Sequence, residues 1–278
     1  MCQTLAESLL VRAPAVAGRF YPGEPEVLER LVAKLLTNAS AGEPQRAIAL
    51  LAPHAGWVYS GAVAGEVYAC SIIPDRVVLL GPNHTGLGPE LSLWDRGAWE
   101  YPGARVRVDE EMAKVLKSCC PDLIPDQSAH RYEHCLEVQI PFLRARAPNL
   151  RITPVVVGTT RLDLLKTLAG SLANAIRSIR EEVLIVISSD MTHYEPAAAA
   201  EKKDRLAVAA MEALDAEELY RVVRHAGVSM CGYAPAVAGL LAGHELGARV
   251  GRLIRYSHSG EVSGDSSSVV GYAGMVFS

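Results

Sequence analysis

Uncharged apolar runs that stop abruptly at histidine-bearing turns give this chain its pattern. Ile48-Ala49-Leu50-Leu51-Ala52 runs into Pro53-His54-Ala55-Gly56, and Val77-Val78-Leu79-Leu80 into Gly81-Pro82-Asn83-His84. Val183-Leu184-Ile185-Val186-Ile187 does the same, ending in Ser188-Ser189-Asp190-Met191-Thr192-His193. Short runs without charge read as strands buried on both faces of a parallel sheet. An open α/β sheet places its ligands just past the carboxyl ends of such strands. Arg151–Val157 is a further apolar strand, and Val250–His258 and Val269–Val276 close the chain. Leu91–Leu93 and Arg105–Val108 read as a hairpin around Trp99–Gly103.

Between the strands the apolar period lengthens to that of helices. Helices are expected over Glu24–Leu36, Trp57–Cys70, Asp109–Lys117 (capped by Asp109), Leu162–Ile179, Pro196–Ala213, Ala216–Arg224 and Ala234–Leu246. Cys135–Arg146 is expected as a helix kinked at Pro141. Residues 1–13 form a lead-in, Asn38–Pro44 a loop, and Ser259–Ser268 a solvated Gly/Ser loop. Alternating strands and helices predict one α/β domain over residues 1–278, with a central mixed, largely parallel sheet flanked by helices.

The chain has 278 residues, half of them hydrophobic, which is enough for a core that needs no staples. Its 27 basic and 31 acidic residues are spread evenly and leave a net charge of −4. Without a basic run, nucleic acid is not an expected partner. No stretch has the composition of a signal peptide or the roughly 18–20 apolar residues of a membrane span, so a cytoplasmic protein is expected. The six cysteines contain no C-x-x-C and no regular spacing, which argues against a zinc ribbon or a disulfide framework.

The candidate chemistry lies in the polar turns. His54, His84 and His193 would converge at one sheet edge and suit a divalent transition metal, with Asp190, Glu137 or a cysteine thiolate as anionic ligand. The same residues would also serve a metal-free acid–base cleft. Cys231, in Ser229-Met230-Cys231-Gly232-Tyr233-Ala234-Pro235, precedes a helix whose dipole would favour its thiolate. Cys70 and Cys135 read as ordinary buried thiols. His130, Glu133, His134 and Glu137 form an H-x-x-E-H-x-x-E cluster. On a helix these would share a face, and with Asn83 they are expected to rim the pocket and orient substrate or the other histidines. His258 is expected near the pocket, and His225 and His244 on the surface.

Seven ordered motifs carry a resemblance: PAVAGRFYPG, APHAGWVYSG, LLGPNHTG, HRYEHCLEVQIPFL, ISSDMTHY, CGYAP and SGDSSSVVGYAGMVF. Together, over about residues 12–277, they resemble the Memo-like family, which includes the prokaryotic AmmeMemoRadiSam system B proteins. That family is similar in fold to the class III extradiol dioxygenases, non-haem iron enzymes. The resemblance implies His54 and His84 as metal ligands and Cys231 as the third ligand, where the dioxygenases carry a carboxylate. It implies His193 as base, with Asp190 nearby, and a partner in a radical-SAM pathway. A thiolate softens the site, so iron or copper is expected ahead of zinc.

Three functions follow as expectations. The first is a metal-dependent redox enzyme. The second is a non-catalytic protein that binds a small molecule or peptide in the same pocket. The third is a thiol enzyme that pairs Cys231 with His193.

Overall fold

Among the described residues the apolar runs become the middle strands of a twelve-stranded mixed sheet. The computed structural model describes residues 10–37 and 43–278. Most of the lead-in, with Cys2, and most of the loop expected over residues 38–44 lie outside the described residues.

In chain order the strands are β1 (Val11–Arg12), β2 (Ala49–Ala52), β3 (Arg76–Pro82), β4 (Leu91–Leu93), β5 (Ala98–Tyr101), β6 (Ala104–Val108), β7 (Ile124–Pro125), β8 (Arg151–Val157), β9 (Val183–Ser188), β10 (His193–Glu195), β11 (Gly251–His258) and β12 (Val269–Phe277). The helices are α1 (Pro25–Thr37), α2 (Trp57–Ala69), α3 (Glu110–Cys119), α4 (Ser128–Arg131), α5 (Ile140–Arg146), α6 (Leu162–Ser178), α7 (Ala197–Glu212), α8 (Ala216–His225), α9 (Tyr233–Glu245) and α10 (Gly260–Ser263). Along the sheet the order is β1-β5-β6-β8-β3-β9-β2-β12-β10, with β11 on β12 and β4 on β8 and β7.

The central four strands, β8, β3, β9 and β2, are mutually parallel. Leu80 of β3 pairs with Ile187 of β9, and Ala52 of β2 with Ser188. The three strands therefore end level and release Pro53-His54, Asn83-His84 and Ser189-Asp190 at one edge. Side chains alternate between faces as strand geometry demands. Ala49, Leu51, Val78, Leu80, Ile185 and Ile187 pack toward α3, α6, α7, α8 and α9. Leu50, Ala52, Val77, Leu79, Leu184 and Val186 pack toward α1, α2 and α5. Both faces are covered, which is why these strands carry no polar alternation. Among the described residues no helix is long and apolar enough to cross a membrane.

The structure revises three local expectations. Leu91–Leu93 does not pair with Arg105–Val108: β6 pairs with β5, and β4 lies antiparallel on β8. A tight turn at Gly103 (φ 87°) closes the β5–β6 hairpin, and this short connection decides the partner. Cys135–Arg146 is not one kinked helix. A 3₁₀ turn (Glu137–Gln139) precedes α5, which places Pro141 in the first turn of the helix, where its missing N–H costs nothing. The expected Ser259–Ser268 loop contains the short helix α10.

The H-x-x-E-H-x-x-E stretch holds the amino-terminal segment. Glu137 is fully buried and accepts from Arg12 Nη1 (2.7 Å), Ala15 N–H (2.7 Å), Val16 N–H (3.0 Å) and Tyr21 O–H (2.8 Å). Arg12 also donates from Nε to the His130 carbonyl (2.8 Å) and from Nη2 to the Glu133 carbonyl (2.5 Å), and its guanidinium lies 4.2 Å from the Trp99 ring centroid. Glu137 therefore faces the PAVAGRFYPG turn and does not rim a pocket. Removing one member of a buried pair strands the other charge. Arg12→Ala should cost about 3–5 kcal/mol, read as a lowered midpoint in urea unfolding.

Candidate metal centre

His54, His84 and His134 meet at the level strand ends. Ring centroids are 5.1 Å apart for His54–His84, 5.3 Å for His54–His134 and 4.6 Å for His84–His134. Cys231 closes the group, with Sγ 3.2 Å from His54 Nε2. One ligand atom each from His54, His84 and Cys231 lies within 4.8 Å of the others. Cys231 sits two residues before α9. A Cβ on Gly232 would stand 2.4 Å from the Ser188 carbonyl, so glycine is what lets this turn press against the end of β9.

Hydrogen bonds fix which imidazole nitrogens face inward. Gln139 Nε2 donates to the Pro53 carbonyl and to Ser188 Oγ, both at 2.9 Å. The single Ser188 hydroxyl proton goes to the Cys135 carbonyl at 2.7 Å. Ser188 Oγ can therefore only accept from His54 Nδ1, 2.9 Å away, so His54 carries its proton on Nδ1. Its Nε2 lone pair points at Cys231. Glu133 does the same for His84. Its carboxylate, an acceptor when ionised, takes His84 Nδ1–H at 2.8 Å and His84 N–H at 2.6 Å. The same carboxylate takes His134 N–H (2.9 Å) and Cys135 N–H (3.1 Å).

The electrostatics follow from burial. Desolvation, helped by the neighbouring His84, drives the His54 pKa well below the usual imidazole value. Desolvation and His54 lower His134 to about 4. Burial alone would raise Glu133, but the hydrogen bonds from His84 Nδ1–H and His84 N–H outweigh it and hold the carboxyl at about 2. Burial raises Asp190, although His54 N–H (2.7 Å) and Ala55 N–H (3.2 Å) donate to its Oδ1. Burial, with Asp190 adding, pushes the Cys231 thiol well up. The expected helix-dipole activation of Cys231 is thus overridden by desolvation. A protonated thiol beside an unprotonated Nε2 makes Cys231 S–H the donor to His54.

The other expected site residues are placed as follows. His193 lies on β10, with N–H donating to Ser229 Oγ (2.8 Å) and Nδ1 to the Ser229 carbonyl (3.1 Å), which leaves Nε2 free. Asn83 shapes the loop: Oδ1 accepts from Thr85 N–H, Thr85 O–H and Gly86 N–H, and Nδ2 donates to the Leu87 carbonyl. His130 does not rim the pocket. It is fully buried, with Trp94 and Trp99 ring centroids at 6.0 and 5.9 Å. The chain leaves α4 after Arg131, so His130 and His134 do not share a helical face. Nothing in the local sequence pattern distinguishes His134 from its neighbours. Gln139 and Ser188, which set the His54 tautomer, had no local signal beyond being polar residues in apolar surroundings.

His54, His84 and Cys231 fit a transition-metal ion. Two imidazole nitrogens with outward-bonded Nδ1–H groups and one sulfur form a closely spaced donor set, and the carboxylate–histidine pairing of Glu133 and His84 is usual behind a metal ligand. His84, Glu133 and His134 are also close enough to be considered together. Glu133, however, already accepts four hydrogen bonds and is an orienting group, not a free ligand.

Fold and site thus define an α/β protein with a candidate two-histidine, one-cysteine metal centre at the carboxyl edge of its parallel strands. The comparisons supply the family. The model of the Memo-like protein family matches residues 12–276, and the chain belongs to that family. A MEMO1 family protein of Aquifex aeolicus is 46% identical over 269 residues, covering 96% of this chain and 99% of the relative. One from Methanopyrus kandleri is 38% identical over 279 residues, covering 96% and 98%. A solved structure of an uncharacterized Escherichia coli K12 protein shares the fold at 12% identity, with a TM-score of 0.50 over 81% of this chain and 98% of that one.

Burial also predicts a pH response. Desolvation lowers His130 to about 3, and neither ring nitrogen has a hydrogen-bond partner. The unfolded chain binds this proton below the ordinary value of about 6.5 while the folded chain does not. Its contribution to stability is therefore intact above that value and is lost as pH falls toward 3, at about 1.4 kcal/mol per pH unit for one proton. His130→Phe should flatten the stability profile in that window, measured by urea unfolding at stepped pH.

Proposed function

We propose that this protein is a metal-dependent redox enzyme whose ion, copper or iron, is held by His54 Nε2, His84 Nε2 and Cys231 Sγ. The convergence of these three donors, with both Nδ1–H groups already committed to Ser188 and Glu133, carries the reading. One soft thiolate with two imidazoles suits copper(I) best, with iron(II) next. When bound, the metal would supply electron transfer and a Lewis-acid position for substrate.

The chain's own residues do the rest. Cys231 gives up its thiol proton when it becomes a ligand, so metal uptake releases a proton and strengthens with rising pH. Ser188 and Glu133 keep the two imidazoles from turning. His193, bonded through Nδ1 to the Ser229 carbonyl, offers Nε2 as a base. Asp190 holds the His54 backbone and positions the loop that carries it. The thiol-enzyme reading has less support: the Cys231 sulfur is bonded to His54, and burial keeps its thiol protonated.

The test is anaerobic purification under reductant, loading with Cu(I) or Fe(II), and elemental analysis. The wild type should retain about one equivalent; His84→Ala and Cys231→Ser should lose it. Glu133→Gln should weaken affinity by roughly 10–100-fold while keeping the fold. Failure of the wild type to retain either ion would sink the redox reading and leave the ligand-binding alternative.

A further inference from the structure

Residues four apart share a helix face. Leu28, Val32 and Leu36 form one such stripe on α1, and Pro141, Arg144 and Ala145 of α5 line the same cavity of about 540 Å³. The β5–β6 turn closes one side of it. A Cβ on Gly103 would stand 2.9 Å from Pro25 Cβ, so this turn lies against the start of α1. The gap persists because several residues around it are small. Ala33 and Ala145 stand exposed on the rim, and Gly103 and Ala104 in the turn have no side chain long enough to fill it. Leu28, Val32 and Pro141 are buried and still line the cavity, so its floor is apolar. Small-molecule sites have volumes of this order.

Two polar groups line this apolar slot without a partner. Arg144 is half-buried, and among the described residues no carboxylate lies within ion-pair distance of it. The half-buried Tyr101 hydroxyl likewise has no hydrogen-bond partner among them, and neither group is sealed from solvent. A guanidinium against an apolar wall loses hydration and is usually paired with a carboxylate or phosphate. Burial raises the Tyr101 pKa above the ordinary phenol value, so this group remains an O–H donor. Cation and hydroxyl together suit an anion. Glu29 also lines the cavity, but it is exposed on the outer edge of α1, where water screens its charge.

We propose that the cavity between α1 and α5 binds a free medium-chain carboxylate, with its head on Arg144 and the Tyr101 hydroxyl and its chain along Leu28, Val32 and Leu36. The stripe from Leu28 to Leu36 runs about 12 Å along the helix, the length of an extended chain of about ten carbons. The slot is bounded by two helices and a hairpin turn, so it takes a single chain. None of its lining residues belongs to the candidate metal centre.

The test is isothermal titration of decanoate into the protein as purified. Decanoate should bind, and octanoate about 10-fold more weakly, because two methylenes leave the apolar wall. Decanol and decyltrimethylammonium keep the chain but lack the anion, and should bind about 10-fold more weakly or worse. Arg144→Gln should weaken decanoate about 10–100-fold, and Tyr101→Phe about 2–10-fold. Ala33→Trp, on the exposed rim, should fill the slot and block binding. In the wild type the methyl resonances of Leu28, Val32 and Leu36 should shift during the titration, which locates the chain without any substitution. Unchanged affinity in Arg144→Gln, decanol binding as tightly as decanoate, or methyl resonances that stay in place would each overturn the site.

Discussion

The Glu133 carboxylate is the contact on which the site depends. It is almost wholly buried, yet held ionised, because four donors converge on it: His84 Nδ1–H and the backbone N–H groups of His84, His134 and Cys135. Those donors come from two stretches far apart in the chain, the turn after β3 and the segment between α4 and α5. One charge therefore does two jobs: it sets the His84 ring and it fastens the His134-bearing segment over the strand ends. Arg12 completes the frame from outside, through the carbonyls of His130 and Glu133 and the carboxylate of Glu137. The cost of burying a charge is offset only where its hydrogen bonds are met this fully.

The remaining polar groups form a consistent proton inventory. His54, His84 and His193 each direct Nδ1 to an acceptor, respectively Ser188, Glu133 and the Ser229 carbonyl. All three are left with Nε2 available. Desolvation keeps His54 and His134 uncharged and Cys231 protonated. Three imidazoles can crowd within about 5 Å of one another because His54 and His134 carry no charge there. Within the cluster the His54 Nε2 lone pair faces the Cys231 thiol, which carries the proton between them.

Much of the fold was legible because burial on both faces leaves a plain trace in sequence. Runs such as Val183–Ile187 have no polar alternation, so strand, parallel neighbours and flanking helices follow together. Their turns marked where chemistry would collect. The β5–β6 pairing and the break before α5 were less legible, since they depend on a single tight turn at Gly103 and on Pro141 entering a helix, not on periodicity. The H-x-x-E-H-x-x-E stretch would present one face only if it were helical throughout. Its true division was invisible, because the helix stops at Arg131 and the residues beyond it take their directions from Arg12, His84 and the amino-terminal turn.

The sequence by itself determined the α/β class, the family motifs and the strand-end positions of His54 and His84. These depend on local pattern and on chain order. Only the tertiary structure decided that His134 joins the cluster while His130 is buried between two tryptophans, and that Glu137 serves the amino-terminal turn. It also decided that Cys231 meets His54, and that Ser188 and Gln139 assign the His54 proton. The physical reason is common to all of these: which nitrogen or sulfur carries a proton, and which carboxylate stays ionised, depends on the groups that surround it in space, and those arrive from distant parts of the chain.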